Sequence, residues 1–259
     1  MRYLFALIVI LITITACSTP PPAIPSTERD VLIEFYNSTD GDNWKNNTGW
    51  LGEVGTECSW FGIMCINMQV YSINLPLNQL HGVITDKLGQ LEALFHLKLN
   101  NNQLTGIIPA ELGQLTHLNL LALSFNQLTG DIPAELGKLE NLTVLTFLNN
   151  KLTGRIPPEL GQLSKLTTFS LSKNQLIGEI PPELGQLTQL TLFAIDNNNL
   201  IGEIPPKLVN LKNVKQFYVY KNCLTSDNQE LKNFLEERDA ATRRKRSGCA
   251  EIEATTHPI

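Results

Sequence analysis

The chain is poor in the residues from which active sites are built. Its 259 residues include only four histidines, at 81, 96, 117 and 257, and none stands in a metal-ligand spacing. No Cys-x-x-Cys occurs, and the glycines recur singly instead of clustering into a phosphate-binding loop. No catalytic constellation, metal site or cofactor is therefore expected, and the chain reads as a non-enzyme. Basic charge is also scarce. With 20 Lys and Arg against 25 Asp and Glu, the net charge is −5, which leaves no field to hold nucleic acid. The apolar run Leu4–Ile14 is too short to span a bilayer comfortably. What is plentiful is hydrophobic content, 42% of residues, enough for a sizeable buried core.

The run Leu4–Ile14 follows Met1-Arg2-Tyr3 and has the character of an export signal. It ends in Ile14-Thr15-Ala16-Cys17-Ser18, which resembles a bacterial lipobox, with Ile14 in place of the preferred Leu. The resemblance implies diacylglycerol on Cys17, which becomes the mature N-terminus. The other outcome is an ordinary signal peptide cut near Ala16 and a secreted protein. Five cysteines is an odd number for an exported protein. Assigning Cys17 to lipid leaves Cys58 and Cys65 before the repetitive part of the chain, and Cys223 and Cys249 at its end, each pair fit for a terminal disulfide. Ser18 is not the Asp that retains many such lipoproteins in an inner membrane, which points to an outer membrane or cell surface.

The middle of the chain repeats every 24 residues, with units starting at Val70, Leu94, Leu118, Leu142, Leu166 and Leu190 and a partial one at Val214. Apolar residues recur at positions one, four, six, eleven, fifteen, nineteen and twenty-two. In the third unit these are Leu118, Leu121, Leu123, Leu128, Ile132, Leu136 and Leu139. Positions four and six fall on one face of a short strand. Position nine is Asn in every unit (Asn78, Asn102, Asn126, Asn150, Asn174, Asn198, Asn222), a side chain able to satisfy turn backbone inside a core. Gly at thirteen suits a positive φ, and Pro at sixteen, with Thr85 in its place in the first unit, forbids a long helix. Seven aliphatic side chains do not outweigh the entropy of ordering 24 backbones, so a unit needs its neighbours and the stack needs caps.

The pattern LxxLxLxxNxLTGxIPxxLGxL resembles the plant-type leucine-rich repeat over residues 70–224. Residues 36–65, with Trp44, Trp50, Trp60, Cys58 and Cys65, are similar to the N-terminal cap of that family. The resemblance implies an α/β solenoid: a right-handed horseshoe with a parallel concave sheet and helical caps. Plant members often carry a membrane span and a kinase domain after the repeats. Neither is expected here, and the lipobox makes the chain look like a bacterial exported lipoprotein of the class. The organisation expected is a signal peptide (1–16), a lipid-anchored Pro-rich tether (17–25), an N-terminal cap (26–69), the repeats (70–224), and a C-terminal cap and tail (225–259). The three tryptophans are expected to cover the first repeat. Ser226-Asp227-Asn228-Gln229 fits a capping box ahead of a helix that turns Leu231, Phe234 and Leu235 inward. Arg243–Arg246 is read as cations complementing that helix's C-terminus.

Positions three, five and seven alternate with buried leucines and so face out of the sheet. They vary from unit to unit while the core columns do not. The candidate ligand-binding residues are His96, Lys98, Leu120, Phe125, Val144, Thr146, Leu148, Thr168, Ser170, Leu192, Asp196, Tyr218 and Tyr220. Leu120, Val144, Leu148 and Leu192 are apolar yet expected to be exposed, which marks an interaction surface for a protein, peptide or glycan. Strand propensity alone would also select Val, Thr, Leu and Tyr there. The alternatives are a structural spacer in an envelope layer and, by similarity to plant inhibitors with the same repeat, an inhibitor of a carbohydrate-active enzyme. The Glu111, Glu135, Glu159, Glu183 row at position eighteen reads as a solvated edge, not a hydrolytic carboxylate pair.

Overall fold

A computed structural model describes residues 23–238; Cys17, Cys249 and Arg243–Arg246 lie outside them. An eight-stranded sheet runs the length of the stack. Its strands are β1 (Ile63–Ile66), β2 (Gln69–Asn74), β3 (His96–Lys98), β4 (Leu120–Ala122), β5 (Val144–Thr146), β6 (Thr168–Ser170), β7 (Leu192–Ala194) and β8 (Gln216–Tyr218). From β2 onward all are parallel, and every residue pairs with the one 24 further on: Ser72 with His96, then Leu120, Val144, Thr168, Leu192 and Gln216. The repeat length alone thus sets the register.

Each unit returns through a five-residue 3-10 turn that starts just after position sixteen, as in Ala110–Gln114 and Pro158–Gln162. Thr85 stands where the later units have proline because it has other work. Its hydroxyl accepts from the Lys87 N–H at 3.3 Å and donates to Glu34 of the N-terminal helix at 2.8 Å. The leucine columns are buried from Leu94 to Leu211. The asparagine column stitches unit to unit. Asn126 Nδ2 donates to Leu123 O in its own unit and Leu99 O in the preceding one, both at 3.0 Å, while its Oδ1 accepts from Leu104 N at 3.0 Å. Asn102, Asn150, Asn174, Asn198 and Asn222 repeat the pattern, each donating to its own and the preceding unit. The glycines at thirteen hold φ between +68° and +118°.

A second glycine column explains how closely the turns stack. A Cβ on Gly113 would lie 2.4 Å from Glu135 O, and one on Gly137 would lie 2.5 Å from Glu159 O. The last unit has Val209 at this position. No further turn stacks on it, and its side chain packs against the core instead. A second ladder, unforeseen in the sequence, runs beside the first. Gln127 N donates to Leu104 O and Thr129 N to Gly106 O at 2.8 Å, and Lys151 N, Thr153 N and Gln175 N continue it. Its ends form short parallel strands.

The N-terminal cap opens with α1 (Ser26–Ser38), whose Glu28, Val31, Leu32, Phe35 and Tyr36 share the buried face. Ile24, assigned above to the free tether, is only 5% exposed and belongs to the core, so the cap begins before α1. Trp44 and Trp50 pack with Phe35 and Tyr36, Trp60 packs on Trp50, and each indole N–H finds an acceptor: Thr39 O, Phe61 O and Thr56 Oγ1. The cap hairpin was also not anticipated. β1 pairs antiparallel with β2 through a turn at Asn67 and Met68, both at positive φ. Cys58 and Cys65 are disulfide-bonded.

At the other end, α2 (Gln229–Arg238) buries Leu231 and Phe234, with Phe234 edge-on to Phe217 at 5.4 Å. The Leu235 side chain lies outside the described ones. The capping residue differs from the expected Ser226. Asn228 Oδ1 accepts from Leu231 N at 2.9 Å, and Gln229 donates forward to Asn233 instead of reaching back. The helix starts two residues later than a Ser226 box requires, which leaves Ser226 Oγ buried without a hydrogen-bond partner among the described residues. Cys223 is disulfide-bonded, and its expected partner, Cys249, is outside the described residues. Among the described residues no helix is long and apolar enough to cross a membrane, and no group of His, Cys, Asp and Glu could hold a metal ion.

Candidate functional site

Side chains at positions five, seven and eight of successive units line a groove of about 530 Å³ on the sheet face. Because the units superpose at one strand spacing, each column becomes a row across the groove. Nine of the candidates named from the sequence border it: Phe125, Thr146, Leu148, Thr168, Ser170, Leu192, Asp196, Tyr218 and Tyr220. His96, Lys98, Leu120 and Val144 do not. They lie on the same sheet, but toward its first strands or along the position-three edge. The groove follows the C-terminal ends of the strands, which is why position three joins only from Thr168 onward.

The apolar candidates are less open than expected. Leu120, Val144, Leu148 and Leu192 are half-buried, because neighbours one strand away cover part of each. Phe125 is the exposed one, at 42%. Its backbone explains why. Position eight adopts the left-handed conformation in every unit: Leu77, Asn101, Phe125, Asn149, Lys173, Asn197 and Lys221 all have φ between +53° and +59°. Asparagine tolerates this region, whereas a bulky side chain is strained in it. Phe125 therefore holds an aromatic ring at the groove wall at a conformational cost that the fold does not require.

The floor is polar and mostly satisfied. Asp196 is 6% exposed and accepts from Ser172 Oγ and Asn197 Nδ2. Ser124, also 6% exposed, is the exception: its Oγ has no hydrogen-bond partner, and it lines the groove beneath Phe125 and Leu148. Asn100, Ala122, Ser124, Ser172 and Ala194, in the outward columns of the sequence but not chosen as candidates, and Asn101 and Lys173, at position eight outside those columns, complete the lining. The missing signal was Asn at position eight in three of the seven units (Asn101, Asn149, Asn197), which marks a left-handed turn that brings position eight to the groove. Tyr218 and Tyr220 close the far end with their rings at right angles, 6.2 Å apart. At the near end Tyr71 stacks on Phe95 at 5.0 Å, and His96 meets both edge-on. Burial, and then the nearby Lys98 charge, lower the His96 pKa and favour the neutral ring. The arrangement offers apolar walls and scattered hydrogen-bonding groups, the make-up of a site that can hold a ligand.

Residues 69–128 match the family model described as leucine rich repeat, and residues 141–163 and 165–187 match a second model of that description. A probable inactive leucine-rich repeat receptor-like protein kinase of Arabidopsis thaliana is 36% identical over 69 residues, 26% of this chain and 10% of that one. The crystal structure of a pollen receptor kinase 3 is 31% identical with a TM-score of 0.65, the match covering 76% of this chain and 97% of that one. A plant peptide hormone receptor, RGFR1, solved in complex with RGF2, is 40% identical with a TM-score of 0.55, over 56% of this chain and 23% of that one. The chain thus spans about a tenth of the curated relative and under a quarter of the hormone receptor.

Proposed function

The chain belongs to the leucine-rich-repeat family, in the form found in plant receptor-kinase ectodomains, and from that premise we propose that it is a non-enzymatic recognition module that binds a peptide or protein segment in its sheet-face groove. The observation that carries this reading is Phe125. A residue that is strained, exposed and apolar, beside an unpartnered buried hydroxyl, is a poor choice for stability and a good one for contact. The hormone receptor of similar architecture, solved with its partner, supports a peptide class of ligand. Phe125, Leu148 and Leu192 supply apolar contact, Ser124 and Asn100 hydrogen bonds, and Tyr218 and Tyr220 the end stop. His96, Lys98, Leu120 and Val144 form an outer margin of the same face.

The reading also includes export and attachment through lipid on Cys17, motivated by the leader and the Ile14–Cys17 motif. The groove is tested by capture from host or neighbouring-cell surfaces. The full chain is compared with one carrying Phe125→Ser, Leu148→Ser and Tyr218→Ser. Loss of specific partners in the triple variant supports the groove. Equal capture by both assigns the chain to the spacer reading. The anchor is tested separately: Cys17→Ser should move the protein from the membrane fraction to the soluble one with its folding unchanged. Unchanged partitioning contradicts the anchor.

A further inference from the structure

Six of the twelve strongly exposed large apolar side chains among the described residues fall between Leu51 and Met68. Four of them stand on two loops that contact the first turn of α1, a few residues from where the described chain begins. In the first turn of α1, Arg29 donates to Gly52 O at 2.6 Å, beside Leu51 and Val54. Its neighbour Glu28 accepts from Val70 N at 2.7 Å, just past the hairpin tip that carries Ile66 and Met68. The Cys58–Cys65 disulfide ties the two loops together. Val54 is 66% exposed, Leu51 and Ile66 46%, and Met68 41%. This is not a groove for a peptide: the side chains stand on two convex loops. Glu57, the carboxylate between those loops, is turned inward onto Arg29 and is 1% exposed.

We propose that Leu51, Val54, Ile66 and Met68 insert into the lipid surface to which Cys17 attaches the chain, so that the solenoid stands on its N-terminal end. This rests on the anchor reading above. The geometry supplies the rest. Only six residue steps separate Cys17 from Ala23, the first described residue, and an extended chain of that length reaches about 20 Å at most. An acylated Cys17 therefore keeps this end face at the membrane whatever the tether does. A membrane is the occupant that the tether guarantees. Diacylglycerol supplies two acyl chains, enough to hold the protein at the surface, and an apolar contact from the protein itself fixes how the solenoid stands on it. The insertion is apolar, and Glu53 on the same loop opposes anionic lipid. Docking should therefore persist in high salt and favour zwitterionic headgroups.

The test uses the mature full chain reconstituted in phosphatidylethanolamine vesicles. Val54→Cys and Ile66→Cys are labelled with a polarity-sensitive dye, with Glu111→Cys on the turn face as the control. All three positions are at the surface, so folding is not at stake. The expected result is blue-shifted emission at 54 and 66, quenched by brominated lipid and unchanged in high salt, with water-like emission at 111. Acylated Cys17 together with water-like emission at 54 and 66 overturns this proposal and leaves the anchor standing. Unmodified Cys17 on mass spectrometry overturns the anchor and this proposal together. Cross-links between position 54 of two chains, without lipid quenching, give the face to a second copy and also overturn it.

Discussion

The sheet face and the turn face are made by the same 24-residue unit, yet they differ in what they allow. On the turn side the phrase Pro-Glu-Leu-Gly-Gln-Leu recurs almost unchanged at residues 158–163 and 182–187. On the sheet side no two units carry the same residues at positions three, five and seven. The difference follows from the contacts. Turns stack so closely that Gly113, Gly137 and Gly161 meet the next turn's backbone, and only glycine fits. Strands fix their backbones through the ladder and the asparagine column, and leave the outward side chains free. What stacking demands stays constant; what it does not demand can be given to a ligand.

The comparison breaks first at its most constrained point. Asn150→Ala orphans the buried Leu128 N and removes one of the two asparagine donors from each of Leu123 O and Phe147 O, which keep Asn126 and Asn174. We expect a loss of about 4 kcal/mol in denaturant unfolding, since the orphaned N–H costs roughly 1–3 kcal/mol and each of the two other lost hydrogen bonds about 1 kcal/mol. A loss under about 1 kcal/mol would mean that the ladder carries the stack without it. The N-terminal end should be nearly as sensitive. Burial raises the Glu57 pKa, but hydrogen bonds from its own backbone, from Arg29 and from Gly55 outweigh it and hold the carboxyl below its ordinary value. Its contribution is therefore present above the ordinary carboxylate range and is lost as pH falls through the lowered folded value. Glu57→Gln should cost about 3 kcal/mol at neutral pH, and the difference from wild type should vanish in acid. A difference that does not change with pH would contradict the ion pair.

Gly137→Ala should cost about 2 kcal/mol, because Glu159 O must move. Val209→Gly at the equivalent position of the last unit should lose about 1 kcal/mol through lost packing and backbone entropy. Equal costs at the two positions would remove the stacking explanation. The smallest change is Phe125→Asn. It should stabilise the fold by about 1 kcal/mol by relieving left-handed strain, while weakening capture of partners. A destabilised variant would show that Phe125 is kept for packing.

The period of 24 was enough to place the strands and their register, the buried asparagine column and the positive-φ glycines. Each is dictated by contacts within one unit or by its repetition. What escaped depends on neighbours. Gly137 stands in the sequence beside Val209, but its meaning appears only when the next turn lies on it. Ile24 looks like part of a proline-rich tether until the cap core is seen to need it. Ser226 and Asn228 are both good caps, and packing of Leu231 and Phe234 decides between them. The groove was half legible for the same reason. Alternation identified the outward columns, but the turn at position eight, which brings Phe125 to the groove and leaves Leu120 outside it, is a property of the fold.

The most direct measurement of the central claim pairs stability with capture in one set of proteins. The Phe125→Ser, Leu148→Ser, Tyr218→Ser chain is compared with a chain altered at three exposed positions of the turn face, Glu135→Ser, Gln162→Ser and Gln186→Ser. Both should stay folded, the turn-face variant within about 1 kcal/mol of wild type and the sheet-face variant, which trims the half-buried Leu148 and Tyr218, within about 3 kcal/mol. The sheet-face variant should lose its partners, and the turn-face variant should keep them. Partners lost from the turn-face variant and kept by the other would contradict the account.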